Sequence, residues 1–127
     1  MEPFDLDRLR PGSRGFFELP VMRLPDGGDL RLPVLAAAGA SDGPVLAVLA
    51  GVHGDEYEGI RAIPQIFRAF DLAELRGRLI MVPVCNLPAY RTATRSSPID
   101  GLNLARVFPG DPRGTVTQRL AHVLTSG

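Results

Sequence analysis

Residues 43–60 read Gly-Pro-Val-Leu-Ala-Val-Leu-Ala-Gly-Val-His-Gly-Asp-Glu-Tyr-Glu-Gly-Ile, and they are the most informative part of the sequence for the fold. The apolar run Val45 to Ala50 is typical of a strand that is covered on both faces. Two glycines then break the strand, and a helical pattern begins near Glu56 and continues to Phe70. The stretch therefore predicts a buried strand that passes through a short loop into a helix.

A second apolar run, Leu79 to Val84, follows this helix and predicts another strand. Strand, crossover helix and strand form a βαβ unit, in which the two strands are parallel. Pro64 lies inside the helical pattern. It predicts a kink or a late helix start, because proline removes a backbone donor and clashes with the preceding turn.

Two further strands are predicted upstream, over Gly15 to Arg23 and Leu30 to Ala38, and an Asp-Gly turn joins them. This arrangement is typical of a β-hairpin. Pro20 and Pro33 indicate that both strands lie at an edge or contain a bulge. Residues 1–14 mix charge with proline and glycine and are interpreted as a leading arm. We therefore expect an α/β fold, with a parallel or mixed sheet and crossover helices, preceded by a β-hairpin.

Downstream, residues 86–114 show no clear periodicity and contain four arginines. A loop of this length in a compact domain is usually functional or disordered, and the arginines favour function. Thr115 to Leu124 then predicts a helix, since its apolar residues share one face and Thr115 can cap it.

Composition narrows the classes of function. A chain of 127 residues is one domain or part of one. Its 14 basic residues, all arginine, balance 14 acidic residues, so no electrostatic footprint for nucleic acid is present. The longest apolar run is too short to cross a bilayer. The single Cys85 excludes an internal disulfide, and no signal peptide is visible, so we expect a cytoplasmic protein.

His53 and Glu56 are candidate metal ligands. They follow a predicted strand of a parallel sheet, where the loops beyond the carboxyl ends of the strands form the ligand crevice. Imidazole nitrogen and carboxylate oxygen are zinc ligands, and a three-residue separation spans about one helical turn. The pattern His-x-x-Glu is short and common, so a capping histidine followed by a glutamate in the first turn of a helix explains it equally well.

Three ordered motifs resemble the succinylglutamate desuccinylase/aspartoacylase family, which shares the fold of the M14-type zinc carboxypeptidases. Residues 51–56, Gly-Val-His-Gly-Asp-Glu, are similar to the family's Gly-x-His-Gly-Asp-Glu motif. Residues 86–90, Asn-Leu-Pro-Ala-Tyr, resemble the segment that leads into the family's substrate loop. Residues 100–110, Asp-Gly-Leu-Asn-Leu-Ala-Arg-Val-Phe-Pro-Gly, are similar to Asp-Gly-x-Asn-Leu-Asn-Arg-x-Phe-Pro-Gly. Together the motifs are far more specific than any one of them.

The resemblance implies a zinc-dependent amide hydrolase, a deacylase that acts on small N-acylated amino acids. It assigns His53 and Glu56 as the zinc ligands. Arg95 matches the catalytic arginine that polarises the scissile carbonyl and stabilises its oxyanion. Asn103 and Arg106 fall at substrate-binding positions, and Arg106 is suited to a bidentate grip on a carboxylate.

Two departures from the family pattern affect this interpretation. Ala105 stands where the family usually has an asparagine that shares the substrate carboxylate, and a methyl group neither donates nor accepts. The family's third zinc ligand, a histidine, and its general base, a glutamate, have no counterpart here; His122 is more simply a helix residue. We therefore expect the N-terminal part of such a catalytic domain, incomplete at its C-terminus. The alternative is a truncated or degenerate module that binds metal or a partner without turnover, and self-association stays open.

Overall fold

A computed structural model describes residues 2–126 of the chain. Its strands and α-helices are, in chain order, β1 (Glu2–Pro3), β2 (Ser13–Arg23), β3 (Asp29–Ala38), β4 (Ser41–Leu49), α1 (Tyr57–Ala69), β5 (Arg76–Val82), α2 (Leu87–Arg91) and α3 (Val116–Ser126). Short 3-10 helices lie at Leu6–Arg8, Leu72–Glu74 and Leu104–Arg106. No helix within residues 2–126 has the length and apolar character that crossing a membrane requires.

The strands form one mixed sheet in the order β1-β2-β3-β5-β4. Strands β4 and β5 are parallel and are connected through α1, which confirms the predicted βαβ unit. Strands β2 and β3 are antiparallel from the Ser13–Ala38 pair to the Arg23–Asp29 pair, which confirms the predicted hairpin. The α/β fold expected from the sequence is therefore present.

Pro20 and Pro33 lie where a strand tolerates a proline, whereas Pro64 lies inside a helix. The register between β2 and β3 shifts between Pro20 and Met22, so Pro20 lies at an irregularity, as predicted. Pro33 precedes Leu35, where the pairing of β3 with β5 begins, so one side of β3 is unpaired at the proline. Pro64 lies within α1, which already begins at Tyr57. The alternative of a late helix start is therefore wrong.

Strand β3 is covered on both faces, because successive side chains of a strand point to opposite sides. Leu35 and Ala37 pack with Ile63 and Phe67 of α1. The alternate residues of β3 belong to a second cluster on the other face, which includes Leu104 and residues of α3. Its buried apolar members are Leu9, Leu30, Leu32, Val34, Ala36, Ala38, Val82, Cys85, Leu104, Val116, Leu120 and Ala121.

The prediction that the strand at Val45 to Ala50 is covered on both faces is wrong. Strand β4 lies at the edge of the sheet, and the exposed fractions of Val45, Leu46 and Leu49 are 52%, 59% and 42%. An unbroken apolar run reports that a strand could be buried, whereas burial itself depends on which elements pack against it. In the part of the chain that the structure describes, only β5 pairs with β4.

Residues 86–114 are more ordered than their lack of periodicity suggested. Asn86 caps α2 by accepting a hydrogen bond from the Ala89 N–H through its side-chain oxygen, and a 3-10 turn forms at Leu104–Arg106. Helix α3 begins at Val116, which confirms the predicted helix. At the start of this helix, the Gln118 side-chain oxygen accepts hydrogen bonds from the Thr115 N–H and from the Thr115 hydroxyl. The Thr115 hydroxyl thus acts as a donor, whereas a capping hydroxyl accepts a bond from a backbone N–H. The predicted leading arm contains β1, which pairs with β2.

Candidate functional site

The loop between β4 and α1, residues 50–56, carries the predicted metal ligands and is fastened to the segment that follows β5. The Ala50 N–H donates to the Val82 carbonyl, and the Cys85 N–H donates to the Ala50 carbonyl at 2.8 Å. The Asn86 N–H donates to the Gly51 carbonyl at 2.9 Å. This ladder continues the β4–β5 pairing and holds the loop at the carboxyl ends of the two parallel strands, where ligand crevices form.

Gly54 lets this loop pack directly against α2. A Cβ atom at Gly54 would overlap the backbone of Ala89 and the nitrogen of Tyr90. Gly51, three residues earlier in the same loop, adopts a φ of 65°, a conformation that glycine tolerates without a steric penalty. The glycine spacing noted in the sequence thus has a physical reason, which is the close approach of two backbones beside His53.

His53 contacts Glu56 through one ring nitrogen and Asn103 through the other. Its Nδ1 lies 2.7 Å from Glu56 Oε1, and its Nε2 lies 2.9 Å from Asn103 Oδ1. Asn103 Oδ1 also accepts the Ala105 N–H at 3.0 Å, which identifies this atom as the amide oxygen. Because an amide oxygen only accepts, the proton lies on His53 Nε2. With the proton on Nε2, the lone pair on Nδ1 and the Glu56 carboxylate are two acceptors only 2.7 Å apart, a contact that requires a proton or a metal ion between the two atoms.

Arg95 reaches the same carboxylate from the loop after α2. Its guanidinium nitrogen lies 3.6 Å from Glu56 Oε1, and both side chains are 58% exposed. The loop is fixed by Thr94, whose N–H donates to the Ala89 carbonyl and whose hydroxyl donates to the Ser96 carbonyl at 2.8 Å. The structure therefore brings together four of the five predicted site residues from three separate segments: His53, Glu56, Arg95 and Asn103.

Arg106, the fifth predicted residue, lies in the same 3-10 turn as Asn103 but is exposed. Its guanidinium forms no hydrogen bond or ion pair with any residue in the range 2–126, so it is free to meet a ligand. His122 lies half-buried on α3, and its ring has no hydrogen-bond partner among the same residues. Cys85 is fully buried, and burial raises the pKa of its thiol to about 12, so it stays protonated.

Comparison with known proteins identifies the family. The family model described as "Succinylglutamate desuccinylase/Aspartoacylase catalytic domain" matches residues 42–127. The chain belongs to this family. The resemblance inferred from three motifs is thereby confirmed.

Individual members of the desuccinylase/aspartoacylase family are similar in sequence and in structure. N-alpha-acetyl-L-2,4-diaminobutyric acid deacetylase from Halomonas elongata is 40% identical over 114 residues, which cover 89% of this chain and 33% of that protein. The crystal structure of a succinylglutamate desuccinylase/aspartoacylase from Rhodobacter sphaeroides matches with a TM-score of 0.84 and 40% identity, covering 97% of this chain and 38% of that one. The product-bound ectoine utilization protein EutE (DoeB) from Ruegeria pomeroyi matches with a TM-score of 0.74 and 39% identity, covering 87% and 34%. This desuccinylase/aspartoacylase chain thus spans about one third of the length of these relatives.

Asp100 anchors the family's third motif to α3, a role that the sequence did not reveal. Its carboxylate accepts the Thr117 N–H at 2.8 Å, the Thr117 hydroxyl at 2.7 Å and the Leu102 N–H at 3.1 Å. Burial alone raises the pKa of Asp100, but these hydrogen bonds outweigh it, and the pKa falls below its ordinary value. The anchor fixes the turn that presents Asn103 to His53. The signal in the sequence was the combination of Asp100 with Thr115 and Thr117, the two threonines at the start of the predicted helix.

The two potential ligand atoms at the site are of the types that bind zinc. His53 Nδ1 and Glu56 Oε1 are the nitrogen and oxygen types that zinc prefers, and they face each other. Within residues 2–126, no group of three or more His, Cys, Asp or Glu side chains is placed to hold a metal ion. Within residues 2–126, this desuccinylase/aspartoacylase chain therefore offers two potential zinc ligands, and zinc binding by them stays a prediction.

Proposed function

We propose that the chain carries the zinc site of an amide hydrolase that removes the acyl group from a small N-acylated amino acid. The observation that supports this most strongly is the arrangement of His53. Its Nδ1 faces Glu56 while its Nε2 is held by Asn103. A ligand histidine whose second nitrogen donates to an oxygen acceptor is the usual arrangement in metal sites, because this hydrogen bond fixes the tautomer and the ring orientation.

His53 and Glu56 would hold the ion. When bound, zinc supplies a Lewis acid that polarises the amide carbonyl and lowers the pKa of a coordinated water. Asn103 keeps the proton of His53 on Nε2 and so keeps Nδ1 available. Its Oδ1 is committed to His53 and Ala105, so its amide nitrogen is the group that we propose for contact with substrate.

The two arginines have separate proposed roles. Arg95 lies beside Glu56, and its guanidinium can donate to the carbonyl oxygen as negative charge develops there, which is usually the largest electrostatic contribution to acyl transfer. Arg106 is exposed and unpaired among residues 2–126, and it can bind the substrate carboxylate through two parallel hydrogen bonds. Ala105 offers this carboxylate no side-chain donor, so we expect carboxylate recognition to depend on Arg106.

The substrate class is supported by the relatives. The Halomonas elongata protein is named as a deacetylase of an N-acetylated diamino acid, and the family name refers to a succinylated and to an acylated amino acid. The cytoplasm is the compartment that we propose, because the one thiol, Cys85, is buried and has no disulfide partner.

A second candidate function is metal binding without turnover. Two donors within residues 2–126 fall short of the three protein ligands of catalytic zinc sites, and this observation favours it. Zinc titration of the chain and of the variants His53→Ala and Glu56→Gln, together with a deacylation assay on N-acetyl amino acids, separates the two functions. Turnover by the parent chain that is lost in a further variant, Arg95→Gln, supports the hydrolase. Stoichiometric zinc without turnover supports the binding module, and zinc binding that survives His53→Ala contradicts both.

A further inference from the structure

Glu56 Oε1 is shared between a proposed metal ligand and a cation. His53 Nδ1 lies 2.7 Å from this oxygen, and the Arg95 guanidinium nitrogen lies 3.6 Å from it. Arg95 is the only arginine within residues 2–126 that forms an ion pair with Glu56. A positive side chain therefore stands beside the oxygen at which the metal ion is proposed to bind.

We propose that Arg95 competes with the metal ion for Glu56 and weakens metal binding at this site. The proposal rests on the proposed function, which assigns His53 and Glu56 as the ligands. A guanidinium keeps its charge at every physiological pH, so it repels a divalent cation held by the same carboxylate. The repulsion acts whether or not a substrate is present.

An arginine that held Glu56 in place would have the opposite effect and favour the metal ion. The geometry argues against it. At 3.6 Å the contact is an ion pair that is too long for a good hydrogen bond, and both side chains are 58% exposed. Exposed pairs of this kind contribute little to the order of either side chain. Repulsion of a doubly charged ion therefore outweighs any ordering of Glu56.

Two acidic residues flank Glu56 in the sequence. Asp55 and Glu58 are its exposed neighbours in sequence, and both attract a cation regardless of what occupies position 95. Arg95 is thus the arginine that pairs with Glu56, in a segment that also carries Asp55 and Glu58. If Arg95 stabilises the oxyanion, as proposed above, then its position close to the metal ion lowers the affinity for that ion.

The test is a titration with Zn²⁺ alone, followed by competition with a chromophoric chelator, on the full 127-residue chain. In about 0.1 M salt, Arg95→Gln is expected to tighten zinc binding about fivefold, from the repulsion between a single and a double charge a few ångströms apart in water, reduced by screening. In 1 M salt the gain shrinks to less than twofold, because screening then acts over about 3 Å. Arg95→Lys retains the charge and is expected to bind zinc as the parent chain does.

Arg68→Gln is the matched control. Arg68 is exposed in the last turn of α1, twelve residues from Glu56 and therefore about 18 Å away along the helix. This distance exceeds the screening length in 0.1 M salt, so the same charge change is expected to leave the zinc affinity unaltered. Equal circular dichroism spectra and melting temperatures for all variants establish that the fold is retained.

The outcomes separate this inference from the proposed function. Zinc binding that disappears in His53→Ala but is unchanged or weaker in Arg95→Gln overturns the inference and leaves the proposed site standing. Zinc binding that survives His53→Ala overturns the proposed site, and the inference with it. A gain in Arg95→Gln that is equal in Arg68→Gln also overturns the inference, since it reports net charge alone.

Discussion

Replacement of Asp100 by Asn tests the link between the third motif and α3. The carboxylate accepts three hydrogen bonds, two of them from Thr117, which is fully buried. An amide oxygen can keep part of this arrangement but loses the charge, and hydrogen bonds to charged groups contribute more than neutral ones. We expect a loss of about 3 kcal/mol in the free energy of unfolding. For a domain of this size, this corresponds to a decrease of roughly 10 °C in melting temperature.

The effect has a specific pH dependence. Hydrogen bonding lowers the pKa of Asp100 in the folded chain, so its stabilisation is present above the unfolded pKa of about 3.9 and is lost as pH falls through the folded pKa. Urea unfolding of the parent chain and of Asp100→Asn should therefore differ by a constant amount between about pH 5 and 7 and converge at lower pH. Asp111→Asn is the control, because Asp111 is exposed and an amide can still accept its one bond from Arg113.

Two results would refute this reasoning. Equal stability of Asp100→Asn and the parent chain at pH 7 would mean that the three hydrogen bonds contribute nothing net. A stability difference that persists undiminished at pH 2.5 would mean that the charge of Asp100 is irrelevant and that only its shape matters.

Three further predictions concern the site and the core. Asn103→Ala should weaken zinc binding by about ten- to a hundredfold, while Asn103→Asp, which keeps the acceptor, should retain it; titration measures both. Gly54→Ala should force the β4–α1 loop away from α2 and lower the melting temperature, and an unchanged value would contradict the packing. Leu49→Ala should cost less than about 1 kcal/mol because Leu49 is 42% exposed, whereas the buried Leu32→Ala should cost about 2–5 kcal/mol by urea unfolding.

The local patterns in the sequence predicted the longer elements of the fold. Helical spacing predicted α1 and α3, and strand composition with an Asp-Gly turn predicted the β2–β3 hairpin. Local patterns could not predict that β4 lies at the edge of the sheet, because the exposure of Val45 and Leu46 depends on which elements lie beside this strand. Helix α2 has five residues, too few for any periodicity to show.

The candidate site was predictable in its residue types and only partly in its contacts. The His-x-x-Glu spacing placed His53 and Glu56 together, since three residues bridge one turn. The contact of His53 with Asn103 joins residues fifty positions apart, and no local pattern encodes it. The same holds for the bonds between Asp100 and Thr117, which arise only once α3 packs against the sheet.

Zinc binding at His53 and Glu56 is tested most sharply by the response of the histidine ring nitrogens to zinc. The chain has two histidines, so a ¹⁵N–¹H spectrum of histidine-labelled protein resolves each ring. Zinc is expected to shift the Nδ1 signal of His53, to leave the proton on His53 Nε2 in its hydrogen bond to Asn103 Oδ1, and to leave His122 unaffected. A shift at His53 Nε2 or at His122 instead, or no shift at stoichiometric zinc, would contradict this expectation.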